Sequence, residues 1–229
     1  NSPGLSSSLL PDKYYAKSFD SHFCHSIKKT ISVDESTLDK ITLQHNLNPD
    51  FIKLDTQGTE LDILKNADNA TRECMMIESE VEMIPVYEGQ PLFHDVSSFL
   101  YEKGFQLLYL NRCFGQKKYS KKTCRGQIIF ADALYGITIK RALTLPIDKQ
   151  LKYCCLLINY GLIDSAIELF DSNPLISKKS SAINEYLKNY RTEIKFNAFI
   201  KKFYKGCINN FVIWLLSIIK TNGLDNDSD

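Results

Sequence analysis

The segment FIKLDTQGTELDILKNA, residues 51–67, places an acidic residue directly after a short apolar run. The run FIKL has the apolar content of a buried strand, and Gly58 permits a sharp turn into a helix. A carboxylate at the end of a buried strand is costly unless it is paired or functional. In open α/β sheets, ligands bind at this junction of strand end and helix start. The segment therefore predicts an α/β fold with a candidate site at Asp55.

The rest of the N-terminal part alternates between strand and helix patterns. Strands are expected at KKTISV (28–33), FIKLD (51–55), CMMIESEV (74–81), FQLLYLN (105–111) and QIIFADALYGI (127–137). Helices are expected at STLDKITLQHN, capped by Ser36 or Thr37, at TELDILKNA and at VSSFLYEKG. Met75, Met76 and Ile77 are continuously apolar, as parallel strands usually are. This order predicts a mostly parallel sheet with an antiparallel strand pair at one edge.

From about residue 141 the pattern becomes helical. Residues 151–170, LKYCCLLINYGLIDSAIELF, predict two short helices separated at Gly161, and a longer helix is expected from about 181 to 220. The hairpin resembles one unit of a helical repeat, but three or more copies are normally needed. We therefore expect two domains, an α/β domain over 1–140 and an all-α extension over 141–229.

The composition excludes several classes of function. Lys and Arg number 28 against 27 Asp and Glu, and a net charge of +1 indicates no nucleic-acid partner. Seven cysteines without regular spacing argue against a disulfide framework and indicate free thiols in a reducing, cytoplasmic compartment. His22, Cys24 and His25 lack a fourth ligand nearby in sequence, so no metal site is expected.

A second group of acids follows the next predicted strand. Glu78, Glu80 and Glu82 alternate with uncharged residues just after the apolar part of that strand. If this strand neighbours the strand of Asp55, carboxylates from both face one rim, where they could act as general base, orient a hydroxyl or hold a divalent cation. For Glu80 and Glu82 we favour a solvated rim, and Glu60 could equally be an acid that stabilises a helix start.

Three segments, taken in order along the chain, form one recognisable pattern: KLDTQGTELDILKNA, IESEVEMIPVYEGQPLFHDVSSFLYEKGFQLL and RGQIIFADALYG. In this order they resemble the FkbM-type S-adenosylmethionine-dependent methyltransferases. The resemblance implies O-methylation of a hydroxyl on a sugar, glycan or related small molecule, often in polysaccharide or natural-product assembly, with S-adenosyl-L-methionine as donor. It implies catalytic roles for the acids Asp55, Glu60 and Glu78, and Lys53 falls on the family's strand lysine. The residues that we expect to contact the acceptor are Lys53, Glu80 and His94.

The chain departs from that family at the methyl donor. Such enzymes hold S-adenosylmethionine mainly with a glycine-rich loop after the first strand, because glycine lets backbone N–H groups come close to the ligand. The ten glycines of this chain form no G-x-G. Against the family, the sequence corresponds to an incomplete Rossmann-like sheet that begins after the third strand. We therefore expect a fragment, the C-terminal half of the methyltransferase domain, that is inactive alone and whose cofactor-binding residues are unknown.

Two basic segments leave other functions open. The loop 112–125 has six basic residues and no acid, so it could clamp an anionic acceptor, although we narrowly favour a solvated hairpin loop. Residues 191–220 form a basic amphipathic stripe that could contact a membrane peripherally. Packing on other helices or on a second subunit, giving an oligomer, is the favoured alternative. The competing hypothesis is a non-catalytic helical interaction or peripheral membrane module on a degenerate α/β remnant.

Overall fold

The computed structural model describes residues 6–19, 27, 29–117, 126–193 and 195. The strands are β1 (Phe51–Leu54), β2 (Met76–Glu82), β3 (Phe105–Gly115) and β4 (Gln127–Ile137). The helices are α1 (Lys13–Ser18), α2 (Leu38–Gln44), α3 (Glu60–Lys65), α4 (Asp68–Arg72), α5 (Phe93–Glu102), α6 (Ile139–Ala142), α7 (Ile147–Asn159), α8 (Ile163–Ser172) and α9 (Pro174–Lys179).

The chain divides into two compact units, Asn1–Asn173 and Pro174–Asp229. The first unit contains the sheet and helices α1–α8. The second contains α9 and helical residues 181–193, with Ile176 and Leu187 buried. The division predicted between residues 140 and 141 stays a prediction about the extent of the methyltransferase-like domain. Along the described ranges, none of the helices combines the length and the apolar character that crossing a bilayer requires.

The four strands form one mixed sheet in the order β1-β2-β4-β3. β1 pairs with β2 in parallel, whereas β4 is antiparallel to both β2 and β3. β1, β2 and β3 therefore point the same way, but one of the three pairings is parallel, so the prediction of a mostly parallel sheet is not confirmed. The reason is that β4 returns between β2 and β3, and a central strand of opposite direction makes both of its pairings antiparallel.

Most predicted elements of the first unit are present. Strands occur at four of the five predicted positions, and the side-chain oxygen of Thr37 caps α2 by accepting the Lys40 N–H at 3.2 Å. The strand predicted at 28–33 is wrong, since residues 29–33 have no regular structure. Ile31 and Val33 are 64% and 68% exposed. Their β-branched side chains favour a strand, but this preference depends on packing against neighbouring strands and on burial.

Side chains of the sheet alternate between two faces. One face carries Ile77 and Tyr135, and it packs against α5, where the Ser97 and Tyr135 hydroxyls lie 2.7 Å apart. The other face carries the cross-strand pair Lys53 and Glu78. Acidic side chains of β2 and β4 follow on this second face, because Glu80 lies opposite Asp132. The second face is the polar one.

Helix α7 covers one end of this polar face. The Tyr153 hydroxyl donates to the Ile137 carbonyl at 2.6 Å. Close approach depends on Gly136, since a Cβ atom there would lie 2.7 Å from the Tyr153 hydroxyl oxygen and 2.5 Å from a methyl carbon of Leu108. The break between α7 and α8 falls at Gly161, as predicted, with φ of +74°. Packing of α7 on the sheet carries its last turn toward the acidic residues.

Candidate functional site

The turn after β1 is held by a buried carboxylate. Glu60 is 3% exposed and accepts three hydrogen bonds, from the Thr56 N–H at 2.7 Å, the Thr56 hydroxyl at 3.0 Å and the Gly58 N–H at 3.0 Å. Gly58 has φ of +106°, a conformation that side chains disfavour. These contacts show that Glu60 stabilises the turn at the start of α3, in line with the helix-start alternative. Its predicted catalytic role stays a prediction.

Gln57 connects the ends of β1 and β2. Its side-chain N–H groups donate to Asp55 Oδ1 at 3.1 Å and to Glu80 Oε2 at 2.6 Å. Its side-chain oxygen accepts the Tyr87 hydroxyl at 2.8 Å, and its backbone carbonyl accepts the Ser7 hydroxyl at 2.6 Å. The sequence patterns indicated the acids but not this amide, whose one signal was its place between Asp55 and Gly58. The structure therefore pairs Asp55 with Glu80 rather than with Glu78.

Burial and mutual repulsion alter the proton affinity of two acids on β2. The pKa of Glu80 is raised to about 7, first by burial and then by the nearby charges of Asp55, Glu60 and Asp132. The pKa of Glu82 is raised to about 8, first by burial and then by Glu60 and Glu80. Glu80 can therefore exchange a proton near neutral pH, as a general base must.

The interpretation of Glu82 as part of a solvated rim is wrong, whereas for Glu80 it stays a prediction. Glu82 is 4% exposed, and Glu80 is half-buried. The physical reason is that β2 is an inner strand of the sheet. The Glu82 side chain therefore has Phe130 of β4 beside it on the same face, and Glu60 and Gln90 are close enough to affect its pKa. The position of β4 beside β2 was not evident from the local pattern.

Glu78 has two partners of its own. Its Oε1 atom forms an ion pair with the ammonium group of Lys53, and its Oε2 atom accepts the hydroxyl of Tyr160, which follows α7. Burial raises the pKa of Glu78, but hydrogen bonds from Lys53 and Tyr160 outweigh it and leave the pKa below its ordinary value. Burial and Glu78 together raise the pKa of Tyr160. The two acids Glu78 and Asp55 lie on one face of adjacent strands, as expected, but in separate hydrogen-bonded groups.

The remaining predicted residues lie elsewhere or outside the description. His94 is in the first turn of α5, is largely exposed and has Asp95 as a neighbour at 3.4 Å. The contacts of the described residues do not join it to the acids of β1 and β2. His22, Cys24, His25, most of the basic loop 112–125 and residues 196–229 lie outside the described residues. Among the residues that the structure does describe, no group of three or more His, Cys, Asp or Glu is arranged to hold a metal ion.

The raised pKa values predict that stability falls as the pH rises from about 5 to about 8. Folded chains hold the Glu82 proton up to about pH 8, whereas the unfolded chain releases it near the ordinary 4.5. Folding thus takes up a proton here, and the free energy of unfolding should fall by on the order of 1 kcal/mol per pH unit. Acids with lowered pKa, such as Asp50 and Glu78, are ionised in both states over this interval.

Replacing Glu82 with glutamine should remove its share of this slope. At about pH 8 the variant should be more stable than the wild type, because an uncharged amide is cheaper to bury than a carboxylate. Urea unfolding at several pH values measures this. Glu88→Gln is the matched control, since the Glu88 side chain is exposed and its replacement should leave the slope unchanged. Equal slopes in the wild type and Glu82→Gln would contradict the assignment.

The comparisons with known proteins bear on the same segment. Residues 5–107 match the family model for the methyltransferase FkbM domain. The resemblance found in the sequence is thus confirmed over this range, which contains Asp55, Gln57, Glu78 and Glu80. A comparison with curated proteins gives no match. A comparison with solved structures gives none either.

Members of that family use S-adenosylmethionine, but the turn after β1 does not fit the donor's carboxylate. Backbone N–H groups at a turn that starts a helix commonly hold such anions. Here the N–H groups of Thr56 and Gly58 both donate to Glu60. The neighbouring side chains Asp55 and Glu80 are themselves acids, which repel a carboxylate. The described residues at this rim therefore do not suit that end of the donor.

Proposed function

We propose, from the FkbM methyltransferase match across residues 5–107, that this α/β unit supplies the acceptor side of an S-adenosylmethionine-dependent O-methyltransferase. The acceptor would be a hydroxyl of a sugar, glycan or related small molecule. The observation that carries the proposal is the pair of acids at the ends of two adjacent strands, Asp55 and Glu80, joined through the Gln57 amide. Acids in this arrangement suit the binding of a hydroxyl and acceptance of its proton.

Asp55 and Glu80 would share the work of holding the hydroxyl. Asp55 is exposed at the end of β1, so an acceptor can reach it from solvent. Glu80 is half-buried behind it, with a pKa near 7, so it can take a proton that leaves the hydroxyl. Holding the oxygen in one orientation supports catalysis in addition to proton transfer, because it removes the entropic cost of finding the reactive geometry.

The polar face beyond these acids could hold further hydroxyls of the acceptor. Asp132 of β4 lies opposite Glu80, and the Asn111 amide of β3 donates to Asp132 at 3.3 Å. Lys53 and Glu78 lie on the same face, two residues before Asp55 and Glu80 respectively. Such a row of carboxylate and amide groups matches the donors and acceptors of a polyhydroxylated molecule.

The charge of this face favours an uncharged acceptor. Asp55 and Asp132 are close enough to Glu80 to raise its pKa. The pKa of Lys53 is raised mainly by its hydrogen bond to Glu78, with smaller contributions from Asp132 and Asp55. A phosphate or carboxylate beside the reacting hydroxyl would be repelled by these acids. We therefore propose neutral sugars over phosphorylated ones.

A labelling experiment tests the proposal. The protein, together with any residues that precede or follow these 229 in the natural chain, is incubated with S-adenosyl-[methyl-³H]methionine and a panel of neutral hexoses, their phosphates and short neutral glycans. We expect label in a methyl ether of a neutral acceptor, and no transfer by the 229-residue chain alone. Label on nitrogen or on a carboxylate, or a clear preference for the phosphorylated sugars, would contradict the proposal.

A further inference from the structure

We propose that Gln57 is a positioning residue, whose side-chain amide holds the carboxylates of Asp55 and Glu80 at a fixed spacing on the rim of the sheet. The roles of the two acids rest on the proposed function, whereas their arrangement rests on the hydrogen bonds alone. Gln57 donates to both acids, at 3.1 Å to Asp55 and 2.6 Å to Glu80. It would act on the acceptor only through them.

The backbone of Gln57 is held in a conformation that costs energy. Its φ of +57° lies in the left-handed region, which is unfavourable for a residue that carries a side chain. Glycine would remove that cost, as it does at the next position, Gly58, with φ of +106°. A residue other than glycine that keeps this backbone conformation is a candidate for function when the surrounding structure holds it there. Here Glu60 holds the turn by accepting the N–H groups on either side of Gln57, and the Ser7 hydroxyl adds a hydrogen bond to the Gln57 carbonyl oxygen at 2.6 Å.

The orientation of the amide is fixed by Tyr87. Because the Tyr87 hydroxyl donates to the amide oxygen at 2.8 Å, the amide nitrogen must face the two acids. Tyr87 is 7% exposed, and its ring packs on the turn, within 3.2 Å of where a Cβ of Gly58 would lie. The Gln90 side-chain oxygen accepts the Tyr87 backbone N–H and that of Val86. If the amide were flipped, its oxygen would face the two acids and both hydrogen bonds to them would be lost. Its N–H groups would then face the Tyr87 hydroxyl, which donates in the observed orientation.

The neighbouring cross-strand pair shows what a different partner does. Lys53 and Glu78 lie opposite each other on β1 and β2, and each comes two residues before Asp55 or Glu80 in its own segment. There a cation neutralises the acid and helps to lower the pKa of Glu78. Two residues further along each segment, the uncharged amide of Gln57 joins the two acids Asp55 and Glu80 instead. Glu80 has no cation beside it, and its pKa stays raised by burial and by the charge of Asp55, which is the property a general base at neutral pH requires.

A titration of Glu80 tests the arrangement directly. The ¹³C carboxyl signal of Glu80 is followed by NMR in the wild type, Gln57→Met and Ser7→Ala. Methionine keeps the volume and the backbone cost of glutamine but donates no hydrogen bond. Loss of a donor to the charged form should raise the Glu80 midpoint by about 1 pH unit. The charged or titratable groups facing Glu80, namely Asp55, Glu60, Glu82, Asp132 and Tyr87, are the same in all three proteins.

Ser7→Ala is the matched control for the turn, because it removes the anchor of the Gln57 carbonyl and keeps the amide. We expect its Glu80 midpoint to equal that of the wild type. An unchanged midpoint in Gln57→Met would overturn the proposal. An equal shift in both variants would also overturn it, since it would assign the effect to the turn rather than to the amide.

The labelling assay separates this proposal from the proposed function. In the natural protein, Gln57→Met should lower kcat at least tenfold with little change in KM, and the pH at which the rate rises should move with the Glu80 midpoint. An unchanged kcat and pH profile would overturn the positioning role. If the wild type itself methylates no hydroxyl, the proposed function fails, and the titration still decides whether Gln57 holds the two acids.

Discussion

Replacing Asp55 with asparagine should lower the turnover of methyl transfer by about two to four orders of magnitude, because we propose that Asp55 and Glu80 act as one unit in accepting the hydroxyl proton and general acid–base catalysis contributes this range. The fold should survive, because Asp55 is exposed at the end of β1. The amide oxygen of asparagine can also accept the hydrogen bond that Gln57 gives to Asp55 Oδ1 at 3.1 Å. Initial rates in the labelling assay and an unfolding midpoint for the same preparation measure the two effects.

The control for Asp55→Asn is the equivalent change at Asp62, an exposed acid in the first turn of α3. It removes the same charge from the same strand–turn–helix unit but lies outside the hydrogen-bonded group of the site. Asp62→Asn should therefore keep wild-type turnover. Full activity in Asp55→Asn, or equal losses in both variants, would remove Asp55 from the reaction.

Replacing Glu60 with alanine should lower the free energy of unfolding by about 2–4 kcal/mol, the largest stability effect that we expect in the turn. The substitution leaves two backbone N–H groups and the Thr56 hydroxyl without their acceptor. Unpaired donors in this partly buried turn are costly because water cannot fully replace the lost bonds. The loss is best measured by urea unfolding at about pH 5.5, where Glu80 and Glu82 are protonated and no repulsion is relieved.

Asp62→Ala is the matched change on α3. Glu60 and Asp62 both lie in the first helical turn, where a negative charge interacts favourably with the helix dipole, but Asp62 is exposed. Its removal should cost about 0.3–1 kcal/mol, as expected for a surface charge near a helix N-terminus. Similar costs for the two alanine variants would mean that Glu60 contributes as a helix-start charge and not through its three hydrogen bonds.

The elements that sequence patterns predicted well are those whose partners are close in sequence. The apolar run before Asp55 and the continuous apolar run before Glu78 identified β1 and β2, and adjacency of the two strands followed from the strand–helix–strand order. Gly161 marked the end of α7 for the same reason, since a residue with positive φ ends a helix locally. The FkbM pattern depends on such segments and was therefore recognisable.

The contacts that the sequence did not predict join distant parts of the chain. Tyr160 reaches Glu78 across 82 positions, and Ser7 reaches Gln57 across 50. Glu82 was expected in solvent because alternation along one strand does not tell which strand lies beside it. The strand predicted at 28–33 failed for a related reason, since propensity without a paired neighbour does not make a ladder. Local pattern thus gave the acids, and tertiary packing decided which of them meet.

A double-mutant cycle between Asp55 and Glu80 tests most directly whether these two acids act as one unit on an acceptor hydroxyl. Turnover is measured in the labelling assay for the natural protein, Asp55→Asn, Glu80→Gln and the double variant. Residues that act together give strongly non-additive losses. We predict that the double variant is about as slow as Asp55→Asn alone, on the order of 10²–10⁴ below the wild type. Losses that multiply, or a Glu80→Gln variant with wild-type turnover, would contradict a shared role for the pair.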